Sequence, residues 1–255
     1  MLKIIVCIVA GIGAGLGTGF AGMSAAAVIS PMLITFLGTD PYMAVGIALA
    51  SDVLASAASA VTYAKNKNID IRNGLIMMLT VLCFTVVGSR VASLVPKTVM
   101  GNFSVFMTLL LGIKFLIKPV VAPKKRFVSA TAGQKALRSV LCGTLVGFIC
   151  GFVGAGGGMM MLLVLTSVLG YELKTAVGTS VFIMSATALT GAASHFAIGG
   201  APDTEALILC VVSTLLFAQL ASVLANKAQP KTLNRITGAL LIVLSGAILA
   251  VNCFG

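Results

Sequence analysis

Residues 143–158 read GTLVGFICGFVGAGGG, and residues 11–26 read GIGAGLGTGFAGMSAA. Laid one over the other, Gly11, Gly15, Gly19 and Gly22 fall on Gly143, Gly147, Gly151 and Gly154. The same offset carries Gly38 onto Gly170 and Gly46 onto Gly178. Farther on, Pro96-Lys97-Thr98 matches Pro230-Lys231-Thr232, and Gly112 matches Gly246, after a two-residue insertion. So many glycines and a Pro-Lys-Thr triplet in register mark an internal repeat, which decides how the rest of the chain is read.

Around these stretches the sequence is apolar. Of 255 residues, 59% are hydrophobic and 9% charged, and the mean hydropathy is +1.13. A soluble domain of this size needs more charge on its surface. The apolar residues fall in ten runs, approximately 3–21, 23–37, 43–64, 72–93, 98–118, 136–152, 157–170, 174–197, 205–225 and 233–252. Most are long enough to span a bilayer, which takes roughly 17–25 residues. The runs 23–37 and 157–170 are short, as re-entrant or half-helices are. The first run lacks the small-residue cleavage site of a signal peptide and leads into more membrane segment. Residues 1–118 and 136–255 form two membrane repeats, joined by a basic linker at 119–135.

Five segments per half is an odd number, so consecutive repeats enter the membrane from opposite sides. The expected fold is an all-α integral membrane protein. About ten hydrophobic segments form two inverted five-segment repeats, with broken or re-entrant helices. The net charge of +11 follows this topology. One side collects Lys65, Lys67, Arg72, Lys124, Lys125, Arg126, Lys174, Lys227 and Arg235. The other holds Lys3, Arg90 and Lys97 with Asp40, Asp203 and Glu205. That bias makes the linker cytoplasmic and places both termini outside; it marks the basic residues as membrane anchors and not a nucleic-acid surface. The six cysteines form no CxxC pair and mostly sit inside apolar runs, as small buried hydrophobes do.

Four features could carry chemistry. The ladders Gly11-Gly15-Gly19 and Gly143-Gly147-Gly151 are helix faces for close packing. The run Gly154-Ala155-Gly156-Gly157-Gly158 disfavours a continuous helix, since each glycine costs about 1 kcal/mol against alanine. A break there frees backbone N–H groups at the start of the next helix, a cradle for an anion; a tight helical hairpin is the plainer reading. Gly22-Met23-Ser24 is the matching, glycine-poorer site in the first half. Asp52, Ser56, Ser59 and Tyr63 share one helical face. Asp52 is an acid deep in a span, where a charge must face a cavity, find partners or take a proton. It is the candidate for proton or cation coupling, against a structural aspartate satisfied by N–H and hydroxyl donors. Thr179 and Ser180, with Thr187, Thr190 and Ser194, form a hydroxyl-rich surface for an oxyanion, unless those hydroxyls bond their own helix. His195, the only histidine, matches Tyr63 in the repeat, and these two are the further candidates for coupling beside Asp52. There is no Walker phosphate loop, no HExxH and no nucleophile–base constellation, so neither ATP hydrolysis nor catalysis is expected, and no cofactor or metal is implied.

At these residues the chain resembles the sulfite exporter TauE/SafE family, also called domain of unknown function 81 or the 4-toluene sulfonate uptake permeases. The resemblance runs over nearly the whole chain. It is carried by Gly143-x3-Gly147-x3-Gly151-x2-Gly154-Ala-Gly-Gly-Gly158, Ala176-Val-Gly-Thr-Ser180, and His195 followed by Gly199-Gly200. In the first half it rests on Gly11-x3-Gly15-x3-Gly19-x2-Gly22, Pro31 and Ala44-Val-Gly46. The first half departs from the family's pattern at Ser24-Ala25-Ala26, Ile47-Ala48 and Asp52. The resemblance implies a permease for sulfite, thiosulfate or an organosulfonate in a prokaryotic plasma membrane. The function expected is a secondary transporter of a small anion by alternating access. The rivals are an anion channel on the same fold and a non-transport component of a membrane assembly.

Overall fold

The computed structural model describes residues 1–92, 132–153, 157–199 and 201–254, together with positions 109, 113, 116 and 117. Among these residues there are nine long helical elements and no strand. They are α1 (Leu2–Ala21), α2 (Ala26–Leu37), α3 (Pro41–Lys65), α4 (Ile71–Ala92), α5 (Ala132–Val153), α6 (Gly157–Ser167), α7 (Leu173–Gly199), α8 (Thr204–Lys227) and α9 (Pro230–Phe254). They coincide with nine of the ten apolar runs. Most of the run 98–118, most of the linker, and Gly154, Ala155 and Gly156 lie outside the described residues.

Several helix boundaries have a local cause. Asp203 accepts the N–H groups of Glu205 and Ala206 and so caps α8. Asp40 does the same for Met43 in α3, and Asp70 for Asn73 in α4. These caps satisfy N–H groups that a helix start leaves without partners. Glu172 and Glu205 also stand at helix starts, leaving Asp52 as the one acidic residue in a helix interior. At the other end, α2 stops because Gly38 takes φ +61°, and Gly38 and Thr39 return their N–H groups to Ile34 and Leu33. Its repeat partner Gly170, after α6, takes φ +75°. Gly22 ends α1 in the same left-handed conformation.

Among the described residues four helices are long and apolar enough to cross a membrane: Leu2–Ala21, Met43–Lys65, Leu173–Ala197 and Thr204–Lys227. Helix α2 has 12 residues and α6 has 11. At 1.5 Å per residue each is about 18 Å or less, short of a hydrocarbon core of about 30 Å.

Packing turns the composition of a soluble helix inside out. Along α8 the stripe Ile208, Val212, Leu216, Leu220 and Leu224 is about half exposed. The opposite face, with Cys210, Ser213, Thr214, Ala218, Ala221 and Ser222, is buried. Small residues let backbones approach where no water drives association. The glycine ladders serve this packing: a Cβ on Gly19 would lie 2.6 Å from the Ala218 carbonyl of α8, and one on Gly147 would lie 2.6 Å from the Val81 carbonyl of α4. Among the described residues the most extensive helix pairings are α1 with α8, α4 with α5, and α3 with α7. Cys7, Cys142 and Cys210 are buried, and Cys83 is exposed.

Candidate functional site

The non-helical stretch Gly22–Ala25 separates α1 from α2. It leaves the last carbonyls of α1 without helical partners, as any helix end does. Two of these carbonyls, and two in the break itself, accept hydroxyls from four different residues. Tyr63 of α3 donates to the Gly19 carbonyl at 2.8 Å, and Thr237 of α9 donates to Phe20 at 3.1 Å. Ser180 of α7 donates to Gly22 at 2.9 Å, and Thr18 donates to Met23 at 3.0 Å. The break is thus a fixed element clamped by four hydroxyls.

On its other side, the break opens α2 and presents donors. The Asp52 carboxylate is 1% exposed and sits on them. It accepts from the Ser24 hydroxyl at 2.8 Å, from the Ser56 hydroxyl at 2.7 Å, and from the Ala25 N–H. The Ser24 oxygen in turn accepts the Ala26 N–H at 3.3 Å. Among the described residues no cation bonds Asp52. Its charge is met by two hydroxyls, a backbone N–H and the positive end of α2, the groups that suit an anion at a helix start.

The start of α6 touches this break. A Cβ on Gly158, one residue into α6, would lie 2.6 Å from the Ser24 nitrogen and 2.8 Å from the Met184 sulfur. Met184 occupies the position in the second half that Asp52 occupies in the first. Gly157 begins α6.

The other candidates are placed elsewhere. Thr179, adjacent to Ser180, faces a different neighbour: its hydroxyl accepts the Asp70 N–H at 3.2 Å. Asp70 there also takes the Tyr171 hydroxyl at 2.8 Å, and Asn68 bonds Asn226 at 2.7 Å, so the α3–α4 loop is tied to the second half. Tyr63 lies eleven positions beyond Asp52 in α3, about 16 Å along the axis. His195 lies fifteen positions beyond Ser180, about 22 Å along α7; its Nδ1 is 2.9 Å from the Gly191 carbonyl and its Cβ packs over Gly46. The structure therefore joins Gly22, Ser24, Asp52, Gly158 and Ser180, and leaves Thr179 and His195 outside that group. Thr187 and Thr190 bond carbonyls of their own helix. Sequence reasoning missed Thr18 and Thr237, since nothing in a sequence marks which hydroxyl will meet an unpaired carbonyl.

At the helix ends, Lys3 bonds Asp203 and Glu205, joining the start of α1 to the start of α8. The Lys3 ammonium holds the Asp203 carboxyl below the usual carboxylate range. Among the described residues no three His, Cys, Asp or Glu side chains gather as a metal site would require.

A family model described as sulfite exporter TauE/SafE matches residues 7–248. The probable membrane transporter protein YunE of Bacillus subtilis (strain 168) is 26% identical, over 95% of this chain and 96% of its own length. The probable membrane transporter protein YdhB of the same organism is 25% identical, over 92% of this chain and 95% of its own. The probable membrane transporter protein ORF9 of a Sinorhizobium species is 24% identical, over 93% and 88%. Apolar helices long enough to span a membrane and a sequence match over nearly the full length agree: this chain is a multi-pass membrane protein belonging to the sulfite exporter TauE/SafE family.

Proposed function

We propose that the chain is a permease for a small sulfur oxyanion or organosulfonate such as sulfite, working by alternating access between two inverted five-segment repeats. The observation that carries this reading is the buried contact between the Gly22–Ala25 break and the start of α6, with Ser24 against Gly158 and an ionisable group, Asp52, on the donors of that break. Oxyanions are acceptor-only groups, and helix starts supply aligned N–H donors without a buried lysine. The Gly154–Gly158 stretch provides the anion's second set of donors, next to Gly22-Met23-Ser24. Asp52 couples the anion to a proton or cation.

Paired contacts support the inverted repeat. Gly46 lies under His195, and Gly178 lies under Tyr63. Gly46 and Gly178 are matched residues of the halves, as are Tyr63 and His195, so this is one contact occurring twice. The pairings α1 with α8 and α5 with α4 are related the same way. The basic residues at the ends of α3, α7 and α8 support a cytoplasmic linker in a prokaryotic plasma membrane.

Entry of an anion into a negative interior is opposed by about 2.3 kcal/mol per charge per 100 mV, so uptake needs a coupled cation and export of a monoanion does not. The test is flux of sulfite, thiosulfate and sulfoacetate into proteoliposomes holding the purified protein, with and without a pH gradient. The expected result is saturable flux that the gradient accelerates and that Asp52→Asn uncouples. No flux of any of the three anions would overturn the reading.

A further inference from the structure

We propose that the ionised Asp52 carboxylate and the transported anion compete for one set of donors at the start of α2, so that the anion is held there only while Asp52 carries a proton. This rests on the permease reading above and adds how the coupling is built. The Ser24 hydroxyl, the Ser56 hydroxyl and the Ala25 N–H all point to the Asp52 oxygens. An ionised carboxylate and an oxyanion are both acceptors only, and one hydrogen cannot serve both. Two negative charges side by side in a buried, low-dielectric layer also repel strongly. While Asp52 is ionised, the first break is therefore filled by an anion belonging to the chain itself.

A proton on Asp52 removes both obstacles. One carboxyl oxygen becomes a donor, and the Ser24 hydroxyl and Ala25 N–H become free to turn to another acceptor. Those donors abut the start of α6, because the Ser24 nitrogen lies against Gly158. The proton comes from water with the anion and leaves with it, and no bond in the anion changes. No other group takes over this switch among the described residues. Helices α1, α2, α7 and α8 pack against α3. Between them and α3, the remaining groups that are charged or titrate near neutrality are Lys3, Lys65, Lys174, His195, Glu205 and Lys227. All stand in the first or last two turns of their helices, and none bonds Asp52.

The experiment is calorimetric titration of the purified full chain in detergent with thiosulfate, which keeps its charge between about pH 5 and about pH 8. Wild-type affinity is expected to fall about tenfold per pH unit once Asp52 is ionised. Asp52→Asn is expected to bind thiosulfate equally at both ends of that range, at least as tightly as the wild type does in acid. Ser24→Ala in that background is expected to weaken binding. An affinity in the wild type that ignores pH, an Asp52→Asn variant that keeps the wild-type pH dependence, or one that loses binding while the wild type binds, would each overturn the competition and leave the permease reading standing. Failure of the wild type to bind thiosulfate, sulfite or sulfoacetate at any pH would remove the permease reading and the competition with it.

Discussion

Tyr63 shows how a residue that looks functional can be a clamp. It is fully buried, and its hydroxyl closes the orphan carbonyl of Gly19 at the end of α1. Tyr63→Phe strands that carbonyl and should cost about 1–3 kcal/mol, the ordinary penalty for an unsatisfied buried acceptor. A drop in the midpoint of thermal unfolding, with an unchanged pH profile of flux, is the expected result; a proton relay through Tyr63 would move the profile instead. Asp52 was legible by a different route. It is the one acid in a helix interior, and that alone demanded partners. The identity of those partners was not legible, because Ser24 and Asp52 lie on different elements and meet only through the turn at Gly22. Thr179 and Ser180 carry a further lesson. Neighbours on a helix are turned about 100° apart, so two adjacent hydroxyls could not both face one anion. Ser180 reaches the break and Thr179 reaches Asp70.

At the scale of elements, glycine spacing was the strongest signal, and it carried two separate messages. In the ladders it means contact, since side chains there would run into the facing backbone. At Gly38 and Gly170 it means conformation, since both take positive φ after a short helix. Gly38 separates the two meanings cleanly, because a Cβ there would meet nothing within 4 Å. Gly38→Ala should therefore cost only the left-handed backbone penalty, about 1–2 kcal/mol, and Gly38→Asn less. Thermal unfolding of the two variants in detergent measures the difference; equal stability of all three proteins would mean that the turn after α2 does not depend on the left-handed residue. The shortness of α2 and α6 could be read from the lengths of their apolar runs. Which carbonyls and N–H groups each break would expose could not, because a cap is made by tertiary neighbours such as Thr237, far along the chain.

For the whole molecule, two half-length helices decide which side each loop occupies. If α2 and α6 both turn back within the layer, α3 and α7 begin on opposite faces, and the loops ending α3 and opening α7 share one side. The bonds from Tyr171 to Asp70, Lys174 to Asn226 and Asn68 to Asn226 hold those loops and the end of α8 together. The start of α8, where Lys3 meets Asp203, lies a full 24-residue helix away, about 36 Å. The basic residues Lys65, Lys67, Arg72, Lys174 and Lys227 gather at the first of these two ends, and the positive-inside rule predicts that this end is cytoplasmic. A membrane-impermeant thiol reagent applied to intact cells should then label Ala201→Cys above the wild-type background. It should leave Lys65→Cys and Lys231→Cys at that background until the cells are opened. Labelling of Lys65→Cys from outside would invert the orientation. Labelling of Lys65→Cys and Lys231→Cys on opposite sides would break the inverted repeat itself, because the ends of α3 and α8 could no longer share a face.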